Sequence, residues 1–99
     1  MNCITLTGNI GRELNRDITT SGAQKVSFSV GSKQYIGGQE KTIWFYCVAV
    51  GKTAEYLSKY ADKGSYVSII GTLNSGKNRK DEDFLFVFIN AVDIRDKRS

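Results

Sequence analysis

The sequence predicts an all-β domain, a five-stranded Greek-key barrel with one short helix between its third and fourth strands. Apolar and polar residues alternate with a period of two through most of the 99 residues, as they do in half-buried strands. Only one segment, 53–61, has a helical pattern. A split βαβ fold would need two helices, so the barrel fits better. A chain of this length forms one domain, here residues 1–99.

The first two strands are defined by their alternation. The expected inward residues are Ile4, Leu6, Gly8 and Ile10 in the first strand, and Val26, Phe28 and Val30 in the second. A turn at residues 19–22 separates the two strands. If the alternation continues, Lys33 and Tyr35 lie on the outward face of the second strand. The loop 36–41, centred on two glycines, then leads into the third strand.

The remaining three strands and the helix follow this loop. They are expected at residues 42–50, 65–73 and 84–94, with the helix at 53–61. Thr53 is the expected N-cap of the helix and Gly64 its terminator, while Ala54, Leu57 and Ala61 form its buried stripe. A polar loop at residues 74–83 joins the last two strands.

Composition argues against an enzyme. The chain has no histidine, which removes the commonest general base and the usual nucleophile pairs. Two cysteines, Cys3 and Cys47, cannot form a common zinc site alone, so no metal and no cofactor are expected. The tripeptide beginning at Gly51 resembles the end of a phosphate-binding loop, but Tyr46 stands where that motif needs a glycine. The two thiols are expected to be reduced and buried in strands.

Localisation follows from what the chain lacks. There is no run of about 18 apolar residues for a membrane span, and the N-terminus does not read as a signal peptide. The expected location is the cytoplasm, in association with the nucleoid, or its equivalent in an organelle or a phage-infected cell. The formal charge of +4 favours a polyanionic partner.

The third strand carries the candidate binding face. Trp44, the only tryptophan, shares a face with Tyr46, and one face of a strand in a small barrel must point outward. Tyr35, at the end of the second strand, is expected on the same side, with Ser29 and Gly31 leaving room for a ligand strand. Exposed aromatic rings on a basic protein are typical of base stacking. The alternative is that Trp44 packs under a loop or at a subunit interface.

Basic residues surround this face and the last loop. The candidate phosphate contacts are Lys25, Lys33, Lys41 and Lys52 around the aromatic face, and Lys77, Arg79 and Lys80 on the loop before the fifth strand. The acidic run 81–83 follows that loop directly and could neutralise its charge or bind its basic residues.

Several short motifs occur in a characteristic order. They are residues 1–2 with 6–11 (LTGNIG), 28–30 (FSV), 42–45 (TIWF), 51–55 (GKTAE), 63–65 (KGS) and 70–73 (IGTL). Together they resemble the bacterial-type single-stranded DNA-binding proteins, over about residues 1–95. The resemblance implies an OB-fold, a homo-oligomer that is a tetramer first and a dimer second, and single-stranded DNA as the partner.

The resemblance also assigns roles and shows gaps. Trp44 and Tyr35 match stacking positions of the family, and Phe45 matches a position near the subunit interface. Val50 and Asn78 stand where relatives often have further aromatics. The chain ends in a basic segment, 96–99, rather than in the long tail with an acidic tip that recruits partners, so tail-mediated recruitment is not expected. The chain is then either a trimmed binding core or a naturally short member.

The expected function is therefore non-enzymatic. It is sequence-nonspecific binding and protection of single-stranded DNA in replication, recombination and repair. The alternatives are a short primosome-type accessory protein with the same fold and an OB module that binds other proteins through its aromatic face.

Overall fold

A computed structural model describes residues 1–95, and the basic segment 96–99 lies outside them. The chain forms six strands and one helix. They are β1 (Ile4–Ile10), β2 (Asn15–Ile18), β3 (Gln24–Ile36), β4 (Gln39–Val50), α1 (Lys52–Tyr60), β5 (Tyr66–Lys77) and β6 (Asp83–Ile94). The predicted second to fifth strands are β3, β4, β5 and β6.

Five of the strands close into a barrel. Their order is β1-β5-β6-β4-β3, and β3 returns to β1 through the pairs Asn9 with Gly31 and Ile10 with Val30. All neighbours are antiparallel except β4 and β6, which run parallel at Cys47 with Val87 and Val48 with Phe88. The closed five-stranded barrel with a helix between β4 and β5 confirms the predicted OB-fold.

The core fills the barrel as the alternation predicts. The expected inward residues of the first two strands are buried except Ile4, which is half-buried. Val26, Val30, Val67 and Ile69 are each at most 1% exposed. Ala54 and Leu57 of α1 are fully buried and close one end of the barrel.

The sixth strand, β2, is absent from the prediction. All four of its residues are exposed, so no apolar alternation marks it. It pairs with β3, from Asn15 with Ser27 to Ile18 with Gln24. Arg16 ties it to the helix, since its Nε donates to Ser58 Oγ at 2.7 Å. Backbone pairing and this one side chain define the strand, and neither produces a hydrophobic pattern.

The predicted helix caps are wrong in detail. The N-cap is Gly51 rather than Thr53, and no side chain caps the first turn. Gly51 has a φ of 68°, a left-handed conformation that glycine adopts without a Cβ penalty. The C-cap is Ala61, and Gly64 instead donates its N–H to the carbonyl oxygen of Ile10 at 2.8 Å. That glycine joins the post-helix turn to the barrel.

Two hairpins extend well past the barrel. We call them the first arm, residues 31–44 of β3 and β4, and the second arm, residues 73–87 of β5 and β6. The first arm turns in two residues, Gly37 and Gly38, both with positive φ, which suits a tight hairpin. Most of the predicted loop 74–83 is strand in the second arm, because β5 continues to Lys77 and β6 begins at Asp83.

The two cysteines differ in environment. Cys47 is fully buried in β4, and this burial raises the pKa of its thiol from 9.0 to about 12. Cys3 is exposed, against the expectation that both thiols would be buried. Both are free thiols.

Across residues 1–95 no helix is long and apolar enough to traverse a lipid bilayer. The same residues contain no group of three or more metal-ligating side chains.

Candidate nucleic-acid interface

The outer face of β3 and β4 brings the three predicted aromatic residues to one side. In the antiparallel register, Trp44 lies opposite Gly31, Tyr46 opposite Ser29 and Tyr35 opposite Glu40. Directly opposed residues point to the same face, so all three rings share it. The exposed fractions are 58% for Trp44, 40% for Tyr46 and 75% for Tyr35. Trp44 is therefore no core residue within this chain.

Trp44 rests on two glycines. A Cβ built on Gly31 would lie 2.9 Å from both Cζ3 and Cη2 of the indole. A Cβ on Gly11, just beyond β1, would overlap Cζ3 and Cη2. The space that we expected to remain above Gly31 is thus filled by the indole itself. Two backbone segments support one edge of the ring and leave the rest of it to solvent.

Arg12 stands beside this indole and is absent from the sequence-based set. A cavity of about 420 Å³ is lined by Gly11, Arg12, Ser29 and Trp44. The Arg12 side chain is exposed, and within residues 1–95 it forms no ion pair. A guanidinium next to an exposed indole can bind a phosphate while a base stacks on the ring. Arg12 follows the first strand, outside any alternating pattern, so only closure of the barrel brings it to Trp44.

Tyr35 lies further along the first arm and is held by an acidic residue. Its hydroxyl donates to Glu40 Oε2 at 3.0 Å, and Lys33 Nζ lies 3.8 Å from Glu40 Oε1. Glu40 and Trp44 are four positions apart in β4, which is about 13 Å along a strand. Tyr35 and Trp44 are thus two separate exposed rings on one face, with Lys33 between them.

The other predicted lysines are dispersed. Lys25 lies opposite Val50 on the outer face, at the end of the strand pair far from the first turn. Lys52 is the exposed first residue of α1, in the same region. Lys41 lies opposite Gln34, and both alternate with the residues of the Trp44 face, so the register places Lys41 on the other side of the arm. The structure therefore groups Lys33 with the aromatics and separates Lys41 from them.

The tip of the second arm resolves the role of its acidic run. Lys77 Nζ lies 3.0 Å from Asp83 Oδ1 and 3.9 Å from Asp81 Oδ1. Within the described residues, neither Arg79 nor Lys80 forms an ion pair. Asp81 and Asp83 therefore pair with Lys77, and Arg79 and Lys80 remain exposed at the turn.

Asn78 holds this turn together. Its Oδ1 accepts hydrogen bonds from the backbone N–H groups of Lys80 at 2.9 Å and Glu82 at 3.0 Å. Its own backbone N–H donates to the carbonyl oxygen of Glu82 at 3.0 Å. An aromatic side chain could not accept these bonds, so Asn78 is a structural residue of the turn.

The phenylalanines differ from one another. Phe28 is 4% exposed and belongs to the core, as expected. Phe86 and Phe88 are half-buried on the outer face of β6, which continues the outer face of β4 because Phe88 pairs with Val48. Phe84, on the same face, is 36% exposed, and its ring centroid lies 6.2 Å from that of Tyr46. The alternation of residues 84, 86 and 88 was the available signal for this face.

Comparison with known proteins agrees with this geometry. The single-strand binding protein family matches residues 1–88. The chain is 38% identical over 80 residues to Single-stranded DNA-binding protein 1 of Chlorobaculum tepidum, which covers 76% of this chain and 49% of that protein. It is 34% identical over 102 residues to Single-stranded DNA-binding protein 2 of Nostoc sp. PCC 7120, covering 95% of this chain and 77% of that protein.

The matches cover most of this chain but differ in how much of each relative they cover. The chain spans about half the length of the Chlorobaculum relative, 49%, and about three quarters of the Nostoc relative, 77%. The family match covers five strands of the closed barrel up to residue 88, together with Trp44, Tyr35 and Arg12. The chain belongs to the single-strand binding protein family.

Proposed function

We propose that this protein binds single-stranded DNA with little sequence preference and protects it during replication, recombination and repair. The observation that carries the proposal is the indole of Trp44, 58% exposed and supported at one edge by Gly31 and Gly11. A ring held in this way presents a flat surface to a base without having to be ordered first. Stacking on such a ring tolerates all four bases, because each has a π-face.

The proposed mechanism combines stacking with phosphate neutralisation. Bases stack on Trp44, Tyr46 and Tyr35 along the outer face of β3 and β4. Arg12 and the lysines contact the phosphates and release their counterions, and the principal contacts beside the rings are Arg12 and Lys33. Lys25, Lys52, Lys77, Arg79 and Lys80 extend the basic surface to either end of the face, while Lys41 lies on the other side of the first arm. The proposed location is the cytoplasm, where the DNA is.

We also propose that the protein acts as a homo-oligomer, a tetramer first and a dimer second. Among residues 1–95, β1 pairs with β3 only at Asn9 and Ile10, so most of the β1 edge that faces away from β5 has no strand beside it. Such an edge can pair with the same edge of a second copy. Ile70 on the adjacent β5 is 49% exposed and supplies apolar surface for that contact. Light scattering checks this directly, and a mass equal to one chain at micromolar concentration would contradict it.

The binding proposal is tested by titrating the protein with a thymine oligomer and following tryptophan fluorescence. Trp44 is the only tryptophan, so quenching reports on this face alone. We expect quenching at low salt, and an affinity that falls with salt by about 0.7 log units per log unit of salt for each phosphate neutralised. A duplex of the same length is the control and should bind more weakly, because its paired bases cannot stack on the ring.

A variant completes this test. Trp44→Ala should weaken binding on the order of tenfold, measured with a labelled oligomer because the variant has no tryptophan, while Trp44→Phe retains most of the affinity. Equal binding by the wild type and Trp44→Ala would contradict the stacking mechanism. A change of mass in Trp44→Ala with unchanged affinity would instead indicate a protein-interaction surface.

A further inference from the structure

We propose that Phe84 is a further stacking platform and that the bound strand passes from Trp44 across Tyr46 onto the second arm. This inference rests on the proposed function and adds a binding residue and a direction to it. The path leaves the β3–β4 face sideways, toward β6, instead of continuing along β4 to Val50.

The first argument is that Phe84 repeats the construction of Trp44. Trp44 is the cross-strand partner of Gly31, and Phe84 is the cross-strand partner of Gly76. A Cβ on Gly76 would lie 3.0 Å from Cζ and 3.2 Å from Cε1 of Phe84. In both arms an exposed aromatic ring therefore lies over the backbone of a glycine in the neighbouring strand, where an added side chain would press against the ring.

The second argument is continuity with the Trp44 face. The rings of Phe84 and Tyr46 meet edge to face, with centroids 6.2 Å apart and an interplanar angle of 67°. Phe86 extends the cluster, its ring centroid lying 5.9 Å from that of Phe84. Tyr46 itself neighbours Trp44, two residues away on the same face of β4. The aromatic residues of β4 and of the second arm therefore lie on one continuous face, and Tyr46 contacts Phe84 across it.

The third argument concerns charge. Asp83 precedes Phe84 in β6 and therefore lies on the opposite face of the strand, where its Oδ1 accepts a hydrogen bond from Lys77 Nζ at 3.0 Å. Arg79 and Lys80 lie at the turn beyond it and form no ion pair within residues 1–95. A strand whose base stacks on Phe84 thus has the Asp83 carboxylate on the other side of the arm, paired with Lys77, and two available cations ahead of it.

The alternative path, along β4 from Tyr46 toward Val50, offers no further exposed aromatic ring on that strand. Val50 lies opposite Lys25 at the end of the strand pair, and the chain then enters α1. Along β4 the stacking groups end at Tyr46. The sideways path offers two more rings, Phe84 and Phe86, so the surface available for stacking favours it.

The test compares Phe84→Ala with Ile18→Ala in thymine-oligomer titrations followed by Trp44 fluorescence. Ile18 is the control, since it is an apolar residue that is 67% exposed and lies on β2, outside both arms. We expect Phe84→Ala to weaken binding on the order of tenfold and Ile18→Ala to leave it within about twofold. Equal affinities of Phe84→Ala and the wild type would overturn the proposal.

A second variant makes the test independent of any loss of stability. In W44F/F84W the only indole stands on β6, and we expect the thymine oligomer to quench its fluorescence. Absence of quenching in a variant that still binds a labelled oligomer would overturn the path. If the wild type itself fails to bind, the proposed function fails first. A change of mass in Phe84→Ala with unchanged affinity would assign the cluster to contacts between copies and also overturn the proposal.

Discussion

The two arms have the same secondary structure but support their exposed aromatics differently. Trp44 in the first arm rests on Gly31 of its partner strand and on Gly11, which follows β1. The glycine beneath Phe84 in the second arm is Gly76 of its partner strand. The glycine support of Trp44 therefore needs β1 and β3 to meet, whereas the glycine beneath Phe84 belongs to the same hairpin as the ring.

The turns of the two arms also differ in what holds them. The first arm turns on two glycines and has Glu40 as its acidic residue, held by Tyr35 and Lys33. The second arm turns through five residues that Asn78 holds together, and its Asp81 and Asp83 pair with Lys77. The first arm therefore depends on barrel closure to support Trp44, while the second arm depends on its own turn to hold its charged residues in place.

The largest effect should come from Gly11→Val. Its side chain would overlap the indole, which must then swing into solvent, so thymine-oligomer affinity should fall on the order of tenfold or more, as in Trp44→Ala. Stability should change little, because the displaced ring is an exposed group that can move. Fluorescence titration and a thermal melt measure the two effects. In the Trp44→Ala background, titrated with a labelled oligomer, Gly11→Val should add nothing, and an additional loss there would show that Gly11 acts otherwise.

A smaller effect is expected from Gly76→Val in the second arm. The Cβ contact of 3.0 Å requires Phe84 to shift by only a few tenths of an ångström, so a few-fold loss of affinity is expected. The same titration measures it, with Phe84→Ala as the background for the double variant. A loss as large as that of Gly11→Val would break the distinction between the two supports.

The smallest effects concern charge. Arg79→Ala should reduce the slope of log affinity against log salt by about 0.7, the value for one phosphate contact on a single strand. Lys77→Ala should reduce it less, because Asp83 and Asp81 already neutralise that lysine. Titrations at several salt concentrations give both slopes. Equal slopes for the two variants would mean that the acidic run does not distinguish Lys77 from Arg79.

The barrel was predictable from sequence because its strands bury one face. Val26, Phe28 and Val30 alternate with polar residues, and this pattern alone fixes which face of β3 enters the core. The missed strand β2 has four exposed residues and depends on backbone pairing, which leaves no periodic signal. The helix cap was missed because Gly51 acts through its backbone conformation and not through a side-chain oxygen.

The site was predictable only where it depends on one strand. Trp44 and Tyr46 share a face by simple alternation, and the register confirms that placement. Arg12 reaches Trp44 through barrel closure, and Phe84 reaches Tyr46 through the β4–β6 pairing, which links residues nearly forty positions apart. Lys41 was assigned to the aromatic face because it is close to Trp44 in sequence. Successive residues of a strand point to opposite faces, so Lys41 lies on the face opposite that of Trp44.

The contrast between the two thiols provides a way to measure how often the barrel opens around β4. The thiolate is the reactive form, and with the pKa of Cys47 raised to about 12, that sulfur stays protonated and enclosed at neutral pH. Cys3 is exposed and is free to react with an alkylating reagent at once. Rapid alkylation of Cys3 therefore gives the number of protein molecules. The slower alkylation of Cys47 gives the rate at which β4 separates from the core. Comparing that second rate with and without DNA would show how strongly a bound strand holds the barrel shut.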